Sequence, residues 1–227
     1  MNISNKKLLI LDMNSTFMFN EDRFSNTMDY SKYYKSIGGV YEDKFINEII
    51  NLAYDYLEQR YQKEKYRDSF PSLEEAIKSV SDIKDTKQIQ KIIDTFAFYE
   101  RGEISKEYVE SLHRLSKNFI LSAIIDIWAP SDSWVKLFKE LDIYKLFAYI
   151  SFSSDINIVK PSIVPFKNTL KKLNIKANEA LMIGDSIKRD LGGANKAGID
   201  CVIIGSKTTK AFACYDNLLE FEKALRG

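Results

Sequence analysis

Short apolar runs recur along the chain, and their pattern predicts a buried parallel sheet. Each run is bounded by polar residues or glycine, which is typical of strands covered on both faces. The runs span residues 8–11, 119–125, 147–152, 181–183 and 201–204.

Amphipathic stretches separate the later runs and predict helices. They cover residues 131–141, 161–173 and 187–197. Pro161 suits a first helical turn, and Gly198 suits a helix end. Strands alternating with helices of this length predict right-handed βαβ units in a doubly wound α/β sheet.

Between residues 25 and 118 the pattern changes to apolar residues at helical steps of three and four, which predicts an all-helical insert. Further helices are predicted over residues 74–80, 89–98 and 107–115. The tyrosines near the start of this insert fit the core and rim of a helical unit better than a surface for RNA or substrate. They are Tyr30, Tyr33, Tyr34 and Tyr41.

Composition narrows the range of partners. The 227 residues include 33 basic and 32 acidic ones, so the formal charge of +1 supplies no field for nucleic acid or an anionic membrane. The first apolar run is shorter than the roughly 7 to 15 residues of a signal-peptide core, and no run reaches the ~18 of a membrane helix. Two cysteines, Cys201 and Cys214, predict free thiols. We therefore expect a cytoplasmic protein.

Charged residues follow the predicted strands where a parallel sheet places its ligand site. Asp12, Asp126 and Asp185 each come directly after or near the end of an apolar run, and Lys160 precedes a predicted helix. Ligands bind beyond the carboxyl ends of parallel strands, so we expect the three carboxylates at one edge of the sheet.

The segment Asp12-Met13-Asn14-Ser15-Thr16, the lysine Lys160, and Gly184-Asp185-Ser186 with Asp190 together resemble the motifs of the haloacid dehalogenase superfamily. The resemblance covers about the first 25 residues and roughly residues 118–205. It implies a Rossmann-like core of residues 1–20 and 118–227, with a helical cap of residues 21–117 and hinges at residues 17–20 and near Lys117.

The resemblance implies a phosphatase in which Asp12 attacks phosphorus and forms an aspartyl-phosphate. Lys160 would hold both Asp12 and the phosphate, and Asp126 falls at the phosphate-binding motif. Asp12, Asp185 and the backbone carbonyl of Asn14 would bind Mg²⁺, whose preferred ligands are oxygens. Asp190 would either act through the metal's water shell or stabilise the first turn of its own helix.

Two positions depart from the family pattern. Asn14 replaces a second Asp that serves as general acid and base, and Ile125 replaces a Ser or Thr. An amide cannot exchange a proton at neutral pH, and losing such proton transfer typically costs about 10² to 10⁴ in rate. We therefore expect a slow phosphatase, and Asp22 or Glu21 in the following loop is left open as a replacement acid.

Two other functions stay open. The changes at Asn14 and Ile125 are also compatible with a catalytically weakened binding or regulatory protein. A haloacid dehalogenase, which needs neither the second acid nor a metal, is disfavoured by the intact pair Gly184 and Asp185. The expected partner is a small phosphorylated substrate, bound by a monomer or a homodimer, and no motif identifies that substrate.

Overall fold

The structure, a computed structural model, describes residues 3–225. These residues form one six-stranded parallel sheet in the order β3-β2-β1-β4-β5-β6. The strands are β1 (Leu8–Leu11), β2 (Ile120–Ile125), β3 (Phe147–Phe152), β4 (Ala180–Gly184), β5 (Asp200–Ile204) and β6 (Ala213–Tyr215). The predicted α/β fold with a Rossmann-like core is confirmed, and among the strands of the described residues the prediction missed the short edge strand β6.

The helices within the described residues are α1 (Ser31–Ser36), α2 (Asp43–Tyr61), α3 (Leu73–Val80), α4 (Thr86–Glu100), α5 (Lys106–Leu115), α6 (Asp132–Glu140), α7 (Ser153–Ile156), α8 (Val164–Leu173), α9 (Gly192–Lys196) and α10 (Leu218–Ala224). Short 3₁₀ turns occur at Glu64–Tyr66, Tyr144–Leu146 and Ala177–Glu179. In this part of the chain, no helix has both the length and the apolar composition that crossing a bilayer requires.

Strand β1 lies at the centre of the sheet between β2 and β4, and all four of its residues are buried. In the register of the sheet, Leu11 lies beside Ala123 on one side and Ile183 on the other. Because all three strands run parallel, their carboxyl ends open on the same edge. The backbone N–H of Asp12 still donates to the carbonyl of Ile183 at 2.8 Å, so the sheet guides the chain up to the first site residue.

Helix α8 begins later than predicted. Pro161 was expected in its first turn, but residues 161–163 form an irregular turn and the helix begins at Val164. The hydroxyl of Ser162 accepts a hydrogen bond from the Val164 N–H at 3.2 Å, and Pro165 occupies the first turn instead. A proline-started helix is therefore present, with a different proline at its start.

The helix predicted over residues 187–197 has two parts. Its first turn, Ile187–Leu191, is π-helical, with a hydrogen bond of 3.2 Å from the Leu191 N–H to the Ser186 carbonyl. It continues directly into α9, which ends before Gly198 in the left-handed region at φ 73°. A single wide turn of this kind is frequent at functional sites.

The helical insert contains α1 to α5. We call α1 to α4 the cap helices; residues of α2 and α4 contact Trp128 and Asp126, which lie just beyond the carboxyl end of β2. Their starts follow local rules: Ser72 and Glu75 form a capping box at α3, and Asp85 accepts two N–H groups at α4. Tyr30 and Tyr34 are fully buried among these helices, which confirms their predicted place in the core of the insert.

Two paired linkers join the cap helices to the sheet. Phe19 and Glu103 exchange backbone hydrogen bonds of 2.9 and 2.7 Å, and the Arg23 N–H donates to the Tyr99 carbonyl at 2.9 Å. Gly102 is required here, because a Cβ would lie 2.3 Å from the Phe19 carbonyl oxygen. The first predicted hinge, at residues 17–20, lies within this pair of linkers.

Helix α5 packs on the core side of the molecule. The Arg114 guanidinium donates to both carboxylate oxygens of Glu222 in α10, at 2.7 and 2.8 Å. The chain thus leaves the cap helices near residues 99–103, well before the second predicted hinge at Lys117. The second hinge near Lys117 and the division of the chain at residues 21 and 117 stay predictions.

Aromatic side chains fill the contact between the cap helices and the sheet edge. Trp128, just beyond β2, has its ring centroid 5.2 Å from that of Tyr54 and 5.7 Å from that of Tyr61. Phe70 and Phe96 lie 6.3 and 6.4 Å from the same ring. Their burial holds the cap helices against the strand ends where the predicted site residues emerge.

Candidate active site

Four of the predicted side chains converge at the carboxyl ends of β1 and β4. Lys160 Nζ donates to Asp12 Oδ1 at 2.5 Å and to Asp190 Oδ1 at 2.7 Å. One carboxylate oxygen from each of Asp12, Asp185 and Asp190 lies within 4.8 Å of the others. Lys160, Asp12 and Asp190 are buried, whereas Asp185 is only partly covered. Asp185 therefore faces the accessible side of the cluster.

A tight turn after β1 presents Asp12. The Met13 carbonyl accepts from the backbone N–H groups of Thr16, Phe17 and Met18 at 3.0 to 3.1 Å. Ser15 takes the left-handed conformation, with φ 54°, which closes this turn. The Thr16 hydroxyl lies 3.4 Å from Asp12 Oδ2, so this threonine points back at the carboxylate.

Asp190 reaches the cluster because Gly184 leaves space for it. A Cβ built on Gly184 would lie 2.4 Å from Asp190 Cγ, so a side chain at this position would displace the carboxylate. Asp190 Oδ2 accepts the Ser186 N–H at 2.9 Å, and Oδ1 accepts from Lys160. Both carboxylate oxygens thus have partners. The bond from the Ser186 N–H agrees with one of the two roles predicted for Asp190, that of stabilising the first turn of its own helix.

The cluster is short of positive charge. Three carboxylates surround one ammonium group, and burial raises the pKa of Asp12 to about 8 against the opposing effect of Lys160. Burial by itself would lower the pKa of Lys160, but Asp12, Asp190 and Asp126 together raise it. Lys160 therefore stays charged, and a second cation beside Asp12 would oppose the effect of burial on the pKa of that carboxyl.

The donor set suits Mg²⁺. The three carboxylates supply hard oxygen ligands, and Mg²⁺ binds through one or two carboxylates while keeping several waters. Both oxygens of Asp190 accept short hydrogen bonds, whereas Asp12 Oδ2 has only the long contact of 3.4 Å with Thr16, so the freer carboxylate oxygens belong to Asp12 and Asp185. This arrangement is compatible with the predicted metal site, and the roles of Asp12, Asn14, Asp185 and Asp190 as metal ligands stay predictions.

Asn14 lies in the same loop, and its amide oxygen stands out. Its side-chain oxygen, Oδ1, is buried without a hydrogen-bond partner among the described residues. Unpaired buried polar atoms are rare in native structures, because they lose hydration without compensation. A ligand or ion in the active site would give this oxygen a partner.

Asp126 is half-buried beside the cluster and is already hydrogen-bonded. Its Oδ2 accepts the Tyr61 hydroxyl at 2.8 Å, and both oxygens lie within 3.3 Å of the Lys160 backbone nitrogen. Burial raises its pKa, whereas Lys160 and Tyr61 lower it. The structure thus shows Asp126 positioning the Lys160 backbone, and direct phosphate binding by Asp126 stays a prediction.

The sequence model of the haloacid dehalogenase-like hydrolase family matches residues 9–204 of the chain. The chain belongs to this family. The glyceraldehyde 3-phosphate phosphatase of Pyrococcus furiosus is 32% identical to this hydrolase over 93 residues, which are 41% of its chain and 38% of the archaeal protein. The hydrolase thus spans well under half the length of that curated relative.

Solved structures of the family confirm the fold of this hydrolase. A 2-haloacid dehalogenase from Pseudomonas syringae pv. Tomato superposes with a TM-score of 0.64 at 20% identity, covering 98% of this hydrolase and all of that chain. A HAD phosphatase from Thermococcus onnurineus gives 0.62 at 20% identity, covering 98% of both chains. Neighbours with two different activities fit almost equally well, so the chemistry must be argued from the site.

The hydroxyl expected at the end of β2 is missing, as the sequence of this hydrolase indicates. Ile125 is buried in the core there. A serine hydroxyl that contacts the following loop, that of Ser153, accepts the Ile127 N–H at 2.9 Å and donates to the Ile127 carbonyl at 2.7 Å. Ser153 is therefore committed to the backbone and does not supply the missing group.

The two acids left open as replacements for a general acid lie in the first linker. Glu21 accepts the Ser15 hydroxyl at 3.1 Å. Asp22 is open to solvent on one side, but the partial burial of its carboxyl, with nearby Glu21 and Glu58, raises its pKa to about 7. That value would suit proton exchange, and a replacement acid at Asp22 or Glu21 stays a prediction.

Sequence patterns did not identify Tyr61 or Arg189 as neighbours of the site. Tyr61 ends α2, and its hydroxyl meets Asp126, while the Arg189 guanidinium carbon lies 3.3 Å from the centroid of its ring. Burial raises the pKa of Tyr61 well above its ordinary value, so it donates as a neutral phenol. One signal was available: Arg189 precedes Asp190 in the acidic motif.

Proposed function

We propose that this hydrolase is a Mg²⁺-dependent phosphatase that acts on a small phosphorylated metabolite through an aspartyl-phosphate on Asp12. The observation that carries the proposal is the buried Asp12–Lys160–Asp190 cluster with Asp185 at its open side. The phosphatase name of the Pyrococcus furiosus relative supports it, although that match covers only part of each chain.

In the first step, a carboxylate oxygen of Asp12 attacks phosphorus while the bond from phosphorus to the leaving oxygen breaks. Lys160 Nζ, held between Asp12 and Asp190, fixes the carboxylate and offers a positive charge to the phosphoryl oxygens. Mg²⁺ would neutralise the charge that otherwise separates a carboxylate from a phosphate. A bound cation would also favour the ionised form of Asp12, whose pKa burial raises.

In the second step, water attacks the phosphorus of the aspartyl-phosphate, releasing inorganic phosphate and restoring the carboxylate of Asp12. Both steps need a proton carrier, first for the leaving oxygen and then for the attacking water. Asn14 cannot serve, because its amide does not exchange a proton at neutral pH. We therefore expect slow turnover, with the smallest penalty in the first step for acyl and aryl phosphates, whose leaving groups are weak bases.

A second candidate is a binding or regulatory protein that holds a phosphorylated ligand without turning it over. The closed state of the site favours it: Asp12 is only 6% exposed, and the aromatic contacts of Trp128 hold the cap helices over it. A haloacid dehalogenase is disfavoured, because a nucleophile working without metal gains nothing from two further carboxylates beside it.

Phosphate release tests the proposal. Wild type and Asp12→Asn would be assayed on one aryl phosphate, one acyl phosphate and several sugar phosphates, with Mg²⁺ or with EDTA. We expect turnover that requires Mg²⁺ and falls to background in Asp12→Asn. A matched control is Asp82→Asn, which removes an exposed carboxylate from the α3–α4 connection and should leave the rate unchanged.

Two outcomes would overturn the phosphatase proposal. Turnover that survives in Asp12→Asn would exclude the aspartyl-phosphate route. Absence of turnover in wild type, together with Mg²⁺-dependent binding of beryllofluoride that is lost in Asp12→Asn, would instead favour the binding protein.

A further inference from the structure

A cationic groove separates the end of α2 from the π-helical turn, outside the active site. Its volume is about 400 Å³. Cationic side chains line it from both sides of the cleft, with a single carboxylate among the lining residues. From the insert come Lys63, Arg67 and the carboxylate Glu64, and from the core come Lys188, Arg189 and Lys196.

Most of this positive charge has no counter-ion. Arg67 is paired, with Glu64 at 2.8 Å and more weakly with Asp68 at 3.4 Å. Among residues 3–225, no carboxylate lies within salt-bridge distance of Lys63, Lys188 or Lys196, whose side chains are exposed. Like charges that share a concave site repel one another unless an anion lies between them.

The groove and the active site share one wall. Pro161, which lines the groove, directly follows Lys160. The ring of Tyr61 has the Arg189 guanidinium against it at 3.3 Å, and its hydroxyl donates to Asp126. A ligand that moves Arg189 or Tyr61 would thus act on the residue that holds the Lys160 backbone.

Backbone hydrogen bonds hold the two charged sides of the groove together. The Val159 N–H donates to the Arg67 carbonyl at 3.0 Å, and the Phe70 N–H donates to the Asn157 carbonyl at 2.7 Å. The insert's Lys63 is thereby kept opposite the core's lysines despite their repulsion. An anion between them would turn a repulsive contact into an attractive one and would favour the closed arrangement.

We propose that this groove is a second anion site, which binds a phosphate-bearing small molecule and bridges the insert and the core. Arginine offers a planar fork and lysine a point charge to phosphate oxygens, and both are present. The volume suits one or two phosphate groups. The anion is either a second phosphoryl group of the substrate or a separate ligand, and the site exists independently of the proposed phosphatase activity.

Pyrophosphate binding tests the site itself. Isothermal titration at low ionic strength, in EDTA so that the carboxylate cluster repels anions, would compare wild type with Lys63→Gln/Lys188→Gln/Lys196→Gln. We expect pyrophosphate to bind wild type and to bind the triple variant at least ~10-fold more weakly, with affinity falling as salt rises. The control variant is Lys44→Gln/Lys87→Gln/Lys171→Gln, which removes the same charge from exposed positions outside the groove and should bind as wild type does.

No pyrophosphate binding by wild type, or equal binding by wild type and the groove variant, would overturn the proposal. An equal loss in both triple variants would also overturn it, because net charge alone would then explain the affinity.

Kinetic measurements distinguish a second phosphoryl group of the substrate from a separate ligand. This second experiment rests on the proposed function. If the groove holds a second group of the substrate, the groove variant should raise KM for a sugar bisphosphate by about tenfold and leave KM for the matching monophosphate unchanged. If the anion is separate, pyrophosphate should change the monophosphate rate in wild type only. Pyrophosphate binding without any turnover would reject the phosphatase and leave the groove site standing.

Discussion

Replacing Asn14 by Asp tests how much of the catalytic machinery this hydrolase retains. The amide and the carboxyl have nearly the same size, and within the described residues the Asn14 side chain makes no hydrogen bond, so replacing its amide nitrogen breaks none. The substitution should therefore alter proton transfer much more than packing. Its cost is an added negative charge beside the carboxylate cluster, which bound Mg²⁺ would offset.

The expected gain follows from the value of a positioned acid and base. Such a group typically contributes about 10² to 10⁴ in rate, which corresponds to roughly 2.7 to 5.4 kcal/mol of barrier. The gain should be greater for an alkyl phosphate than for an aryl phosphate when the first step is limiting, because only the alkyl leaving group needs its proton. Equal gains for both substrates would indicate that hydrolysis of the aspartyl-phosphate limits turnover.

The assay is kcat/KM for phosphate release from one alkyl and one aryl phosphate, with saturating Mg²⁺. Asn14→Ser is the control, since a hydroxyl of ordinary pKa cannot serve as an acid or base at neutral pH. Circular dichroism and Mg²⁺ titration would confirm that each variant folds and binds metal. A folded, metal-binding Asn14→Asp variant with no gain, or a gain matched by Asn14→Ser, would refute the assignment of position 14 as the defective proton carrier.

Three further predictions concern the supports of the site. Lys160→Met leaves Asp12 and Asp190 without their shared cation, so urea denaturation in EDTA should show a free energy of unfolding lower by roughly 3 kcal/mol. Unchanged stability would contradict the two buried ion pairs of Lys160. Gly184→Ala should lower the free energy of unfolding by about 1 to 3 kcal/mol, because its Cβ would overlap Asp190. Thermal melts with and without Mg²⁺ should also show that the metal stabilises this variant less than it stabilises wild type. Equal stabilisation by Mg²⁺ in both proteins would argue against the overlap. Burial raises the pKa of Glu100 from 4.5 to about 8, so the folded state binds this proton more tightly than the unfolded chain does. The free energy of unfolding of wild type relative to Glu100→Gln should therefore be highest at low pH and fall as pH rises from 4.5 through 8; a flat difference would refute this.

The strand pattern predicted the centre of the molecule well, for a physical reason. Strand β1 is buried on both faces, so its side chains must all be apolar, and an apolar run of that length is visible in the sequence. Parallel strands then bring their carboxyl ends together, which is why the sequence alone predicts Asp12 and Asp185 at one edge of the sheet. The family motif added Lys160, which is far from both in sequence.

Features that depend on tertiary contacts were not predictable. Strand β6 has three residues of intermediate burial, too few for a periodicity. The start of α8 depends on a hydrogen bond from the Val164 N–H to the Ser162 hydroxyl, and either of two nearby prolines could have opened that helix. Tyr61 contacts Asp126 across 65 positions of sequence, and no local pattern signals such a pairing.

The backbone hydrogen bonds that join residues 67–70 to residues 157–159 also affect how fast substrate enters and product leaves the active site. Separating the cap helices from the core at this point breaks both of them, together with the bond from Tyr61 to Asp126. At about 0.5 to 1.5 kcal/mol each, three such bonds would keep an open form rarer than the closed one by roughly 10-fold to 10³-fold. Substrate entry and product escape would then wait on a minor population. Once proton transfer is restored, the rate of opening would become the ceiling on turnover.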